Sequence, residues 1–204
     1  MNKFNSIRIS ESNLTEYLHA KFPTATNFVY LAPVRLTAVP QLLQRDYGKA
    51  LDCTLTSITA IMMYYLPHKG DNEIYDEVEK VAEKYFYNGD KKGTNPIFIR
   101  SIMKDVAKHF GLKKSMKVRY LNSIGFNFNS IKKMIGKKIP VIINIFKDGR
   151  KYYDDHSITI TGYREVKVDG KTKKFLIVQD NWAKDYSYLD FDCLGMIASL
   201  NYAD

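Results

Sequence analysis

The chain of 204 residues predicts an α+β fold in which helices come first and strands follow. Two patterns carry this. Up to about residue 135 apolar side chains recur at three- and four-residue intervals; after it they alternate or run together between turn residues. The length suits one domain with a sizeable core. A helical lobe packed face to face with an antiparallel β lobe, with a cleft between them, is therefore expected. Residues 1–37 read as an N-terminal extension, 38–135 as the mainly helical part and 136–204 as the mainly β part.

Residues 12–20 predict a short helix with Leu14, Tyr17 and Leu18 on one face. Residues 28–39 are β-branched and aromatic, punctuated by Pro33 and Pro40, and read as extended chain. Leu55, Ile58, Ile61, Met62 and Tyr65 have helical spacing over residues 53–66, and Pro67 stops that helix. A second helix is expected over 72–86, with Ile74, Val78, Val81 and Tyr85 inward. A third starts at Pro96, suited to a first helical turn, and stops at Gly111. A strand at 116–121, a short helix at 130–135 and the apolar run 140–146 follow. Asp148-Gly149 predicts a turn, 157–163 a strand, Asp169-Gly170 a hairpin tip and 175–179 the returning strand.

An apolar content of 45% with 26% charged residues excludes wholesale disorder. No apolar run approaches the roughly 20 residues that span a bilayer. Residues 1–10 show neither an apolar signal core nor a cleavage site, so a native start at Met1 implies a cytoplasmic protein, whereas a trimmed chain leaves an extracellular one open. Two cysteines, Cys53 and Cys193, without CxxC spacing, point to a reducing compartment. Four scattered histidines and the absence of GxxxxGK[ST] give no reason to expect a metal or a cofactor. The +9 charge is spread over short lysine patches such as Lys91-Lys92 and Lys137-Lys138. These read as solvated helix ends and turns, and nucleic-acid binding ranks last among the expected functions.

One set of reactive groups stands out. Cys53 opens a predicted helix, where unpaired N–H groups and the helix dipole lower a thiol pKa. The alternative is a buried cysteine that only begins a core helix. His156 precedes the strand containing Ile158 and Ile160, beside Asp155; a packed or edge histidine is its alternative reading. Asp180 ends the next strand, and antiparallel pairing returns it near His156, where a carboxylate would accept from the imidazole. Its alternative is a turn aspartate. Trp182, the only tryptophan, is placed either to shield that contact or to fill the core. An oxyanion needs a donor besides the Cys53 N–H, and a side-chain amide from Gln44, in preference to Gln41, is expected to supply it. Cys193 lacks comparable partners and reads as packed.

These residues give the chain a resemblance to papain-like cysteine peptidases, and within them to bacterial double-glycine (bacteriocin) leader peptidases and their stand-alone relatives. The likeness covers about residues 38–190 and rests on Val39-Pro40, Gln44, Asp52-Cys53, His156, Gly162-Tyr163 and Asp180-Asn181-Trp182. It departs from the family in having Thr54-Leu55 after the cysteine, where Gly-Pro is usual, and in a longer loop from Gln44 to Cys53. The resemblance implies Cys53 as nucleophile, His156 as general base and acid, Asp180 as orienter and Gln44 as oxyanion donor. It implies hydrolysis of a peptide or protein substrate through a thioester. Two other functions use the same residues: acyl transfer to an amine or thiol, and a non-catalytic binding module. The tyrosine pairs Tyr64-Tyr65 and Tyr152-Tyr153 motivate the last. Nothing in the sequence speaks to oligomeric state.

Overall fold

In the computed structural model, which describes residues 7–48, 51–89, 91–120, 127–147, 152–194 and 196–204, an antiparallel sheet of eight strands runs between helices on both faces. The elements are α1 (Leu14–Lys21), β1 (Phe28–Tyr30), β2 (Val34–Arg35), α2 (Cys53–Tyr65), α3 (Asp71–Glu83) and α4 (Ile99–His109), then β3 (Met116–Tyr120) and α5 (Phe128–Gly136). The remaining strands are β4 (Val141–Lys147), β5 (Asp154–Val168), β6 (Lys171–Gln179), β7 (Ser187–Asp190) and β8 (Met196–Ala203). The order across the sheet is β3-β8-β4-β5-β6-β7, with β1 and β2 paired to the far half of β5. The fold is thus a mixed helix and antiparallel-sheet one, as the sequence predicts.

Helix α2 is buried along its length, from Thr54 to Met62, as expected of a segment that is apolar or hydroxyl-bearing on every side. Two of its three threonines return their protons to the backbone one turn earlier: Thr56 donates to the Asp52 carbonyl at 3.0 Å and Thr59 to that of Leu55 at 2.9 Å. α3 and α4 are amphipathic and turn Ile74, Val78, Ile102 and Val106 toward it. A 3-10 turn, Pro96–Phe98, precedes α4, with Asn95 accepting from the Ile97 N–H.

Strand alternation divides the core. On β4, Ile142 packs with α2 to α4, while Val141, Ile143 and Ile145 pack with α5 on the other face. Asn144 shares the Ile142 phase and so faces the start of α2. Asn127 and Ser130 form a reciprocal cap at the start of α5.

Strand β5 organises the rest. Its first half pairs with β4, its second half with β6, β1 and β2. Gly162 is obligatory there, because a Cβ would lie 2.2 Å from the Val34 carbonyl oxygen. The hairpin tip has Asp169 at φ 46° and Gly170 at φ 78°, the left-handed pair of a two-residue turn. β5 starts at Asp154, so His156 lies inside the strand rather than ahead of it. Asp155 at φ 46° kinks the strand immediately before that ring. The extension is woven in: α1 packs on β6 through Tyr17, Leu18 and Phe175, and β1 and β2 join the sheet. The turn expected at Asp148-Gly149 lies outside the described residues.

Candidate active site

Helix α2 points its first residue at β5. Cys53 lies on a cavity of about 570 Å³ that is also lined by Gln44, Asn144, His156, Ser157 and Trp182. Residues 92–96 also line it, and Leu51 and Phe146 add apolar surface. Gln41 is not among the lining residues.

The Cys53 thiol is hydrogen-bonded to the His156 ring and to the backbone and side chain of Ser157. Burial pushes the thiol up, but the hydrogen bond and charge of His156, with the Ser157 contacts, outweigh it and hold Cys53 below its ordinary value. His156 is 5% exposed, and its Nε2 lies 2.8 Å from the main-chain oxygen of Asp180. A carbonyl only accepts, so Nε2 carries the proton and Nδ1 is left for the thiol. Trp182 stacks on the ring at 4.1 Å between centroids, and Tyr153 lies parallel to it at 5.9 Å. Trp182 therefore shields the imidazole, not a carboxylate.

Here the geometry differs from the sequence expectation. Asp180 meets His156, but through its carbonyl. Its carboxylate is fully buried and accepts from Arg8 Nε at 2.9 Å, the Tyr153 hydroxyl at 3.2 Å and the Ser187 hydroxyl on one oxygen. The other oxygen accepts from the Trp182 and Ala183 N–H groups at 3.1 and 3.3 Å. Those two N–H groups close a turn on the carboxylate.

Three further groups hold the nucleophile in place. Asn181, at φ 64°, donates through Nδ2 to the Cys53 carbonyl, the Ser57 hydroxyl and the Ser157 carbonyl at 2.9 to 3.0 Å, which fixes α2 against β5. Ser157 joins Thr54 at 2.6 Å and Asn144 at 2.5 Å. Asp52, immediately before Cys53, is fully buried and accepts from the Tyr75 hydroxyl at 2.8 Å. Burial pushes the Asp52 carboxyl up to about 6, although Tyr75 and the Gln44 side chain favour its charged form. Tyr47 stacks on Tyr75 at 3.9 Å, tying the turn Gln44–Tyr47 to α3.

Asp52 and Asn181 were visible as neighbours of Cys53 and Asp180, yet nothing local announced their partners. Ser157, Asn144 and Arg8 gave no signal. Cys193 is remote from the cavity, with Lys21 Nζ at 3.2 Å and Tyr17 Oη at 3.9 Å. Among the described residues no group of three or more His, Cys, Asp or Glu is placed to hold a metal ion, and no helix is long and apolar enough to cross a membrane.

The profile of a family described as Peptidase C39-like matches residues 36–196. No curated protein matches the chain.

Proposed function

We propose, from the premise that this chain belongs to the Peptidase C39-like family, that it is a cysteine-dependent peptidase acting through Cys53 and His156. The observation that carries the reading is the Cys53 thiol held below its ordinary value by a hydrogen bond to His156 at the start of α2. A thiolate there attacks the carbonyl carbon of a scissile amide, and the carbonyl electrons move to oxygen. The Cys53 N–H and the Gln44 side-chain amide stabilise that oxyanion. The His156 imidazolium then gives its proton to the leaving amine, leaving a thioester. A water molecule that surrenders a proton to His156 hydrolyses the thioester and restores the thiol.

Asp180 acts as orienter in this scheme, with its main-chain carbonyl fixing the Nε2–H tautomer. The arrangement is papain-like in outline: a helix supplies the nucleophile and antiparallel strands supply the ring. The narrower likeness to double-glycine leader peptidases belongs to the proposal and rests on the motifs around Gln44, Cys53, His156 and Asp180. A peptide substrate suits a cleft with Leu51, Phe146 and Trp182 exposed along it and Lys92 and Asp155 at its margins.

The test is differential alkylation. At about pH 6 iodoacetamide should label Cys53 at least tenfold faster than Cys193, because only a thiolate reacts and the contact with His156 favours that form at Cys53. Cys53→Ala should abolish peptide cleavage and leave the fold intact. Equal labelling of the two cysteines in the folded protein overturns the reading.

A further inference from the structure

We infer that Arg8 is a positioning residue of this active site: its guanidinium holds the Asp180 carboxylate away from His156, so that the ring is anchored by a neutral carbonyl. The inference rests on the proposed role of the Cys53–His156 pair. It brings into the site a residue that precedes the family-matched region, which begins at residue 36.

Arg8 is built into its place. The Tyr188 N–H donates to the Ile9 carbonyl at 2.8 Å, a single antiparallel bridge that ties the segment to β7. Asn13 accepts from the Ser10 N–H at 2.8 Å and donates to the Arg8 carbonyl at 2.9 Å, closing the turn into α1. The guanidinium then makes four contacts. Nε donates to Asp180 Oδ2 at 2.9 Å and to Ser187 Oγ at 2.6 Å; NH1 reaches Asp185 Oδ2 at 3.1 Å and NH2 the Asp185 carbonyl at 2.5 Å. The Arg8 side chain is 18% exposed and that of Asp180 fully buried.

A buried carboxylate needs a cation or a proton. Among the described residues only Arg8 forms an ion pair with Asp180. Every oxygen of that carboxylate is engaged by Arg8, Tyr153, Ser187 or a main-chain N–H, which leaves the carbonyl as the acceptor for Nε2. Without the cation, the carboxylate, ionised in the alkaline range of the upper step, would place an unbalanced negative charge near the imidazole and favour the imidazolium. Arg8 cancels that charge, so the thiolate remains the chief negative partner of His156.

The readout is the pH dependence of Cys53 alkylation by iodoacetamide, measured on the full chain in a Cys193→Ser background. Reactivity should rise in two steps, the upper one reporting loss of the imidazolium proton. The other titratable groups around the ring are Cys53 on α2, Tyr153 ahead of β5, Asp155 on β5 and Lys92 on the cavity lining, with Asp185 behind Arg8; the Arg8 variants alter none of them. Arg8→Met should raise the upper step by about one pH unit, the lower end of what an uncompensated charge does at this range. Arg8→Lys keeps a cation and should stay close to wild type. Arg8→Gln keeps a side-chain donor at that place without the charge and should shift the step the same way, which keeps the inference testable if Arg8→Met fails to fold.

An unchanged upper step in a folded Arg8→Met, or in Arg8→Gln where Arg8→Met does not fold, overturns the inference, as do equal shifts in the Met and Lys variants. A wild-type protein with no His156-dependent low-pH reactivity at Cys53 fails earlier and refutes the peptidase reading instead.

Discussion

Replacing Asp52 by asparagine should stabilise the protein at neutral pH and leave it unchanged in acid. The carboxyl is fully buried and its pKa stands at about 6 against an ordinary 3.8. A gap of about two units corresponds to roughly 3 kcal/mol at about 1.36 kcal/mol per unit. The sign follows from which state holds the proton longer. Below the ordinary value both folded and unfolded chains are protonated and no penalty exists. As pH rises the unfolded chain ionises first, so the fold loses stability until its own carboxyl ionises near 6, and the loss is constant above that. Asparagine keeps the shape and an acceptor for the Tyr75 hydroxyl but never charges. Urea unfolding followed by Trp182 fluorescence should give equal stabilities at about pH 3.5 and a variant more stable by roughly 3 kcal/mol at about pH 7.5. A difference that is the same at both pH values, or that favours wild type at neutral pH, refutes the reasoning.

Other substitutions test the frame of the site. Gly162→Ala forces a Cβ into the Val34 carbonyl, displaces β2 and should cost about 1–3 kcal/mol, with new proteolysis in residues 30–38; unchanged stability would show that β2 is loosely held. Asn181→Ala strips the donor from two acceptors on α2 and one on β5 and should cost about 2–4 kcal/mol in chemical denaturation. A loss below about 0.5 kcal/mol would mean that other groups tie α2 to β5. Trp182→Ala removes the stack on His156, worth about 0.5–1.5 kcal/mol, so low-pH alkylation of Cys53 should slow by roughly two- to tenfold. No change would assign Trp182 to the cleft rim alone.

The legible parts of this fold are those set by neighbours in sequence. α2 begins at Cys53 and ends before Pro67 because apolar spacing and proline are local facts, and Asp169-Gly170 turns because those two residues tolerate positive φ. The longer β5, with His156 inside it, was not legible, since the strand is extended by pairing Lys147 with Asp154, a cross-strand contact that no stretch of either segment announces. Nor was the insertion of β8 between β3 and β4, which depends on registry between segments some 55 to 85 residues apart.

For the site, the sequence by itself determined the reactive types and their order: a thiol at a helix start, an imidazole on a strand, an acidic residue at the end of the next. Only the tertiary structure decided which atom of Asp180 meets His156, and that Arg8, 172 residues away, neutralises its carboxylate. The physical reason is that residue identity fixes what a side chain can donate or accept. Its partner is chosen by desolvation and by the competition among all the groups that folding brings within reach, and that competition is not written in any local stretch of chain.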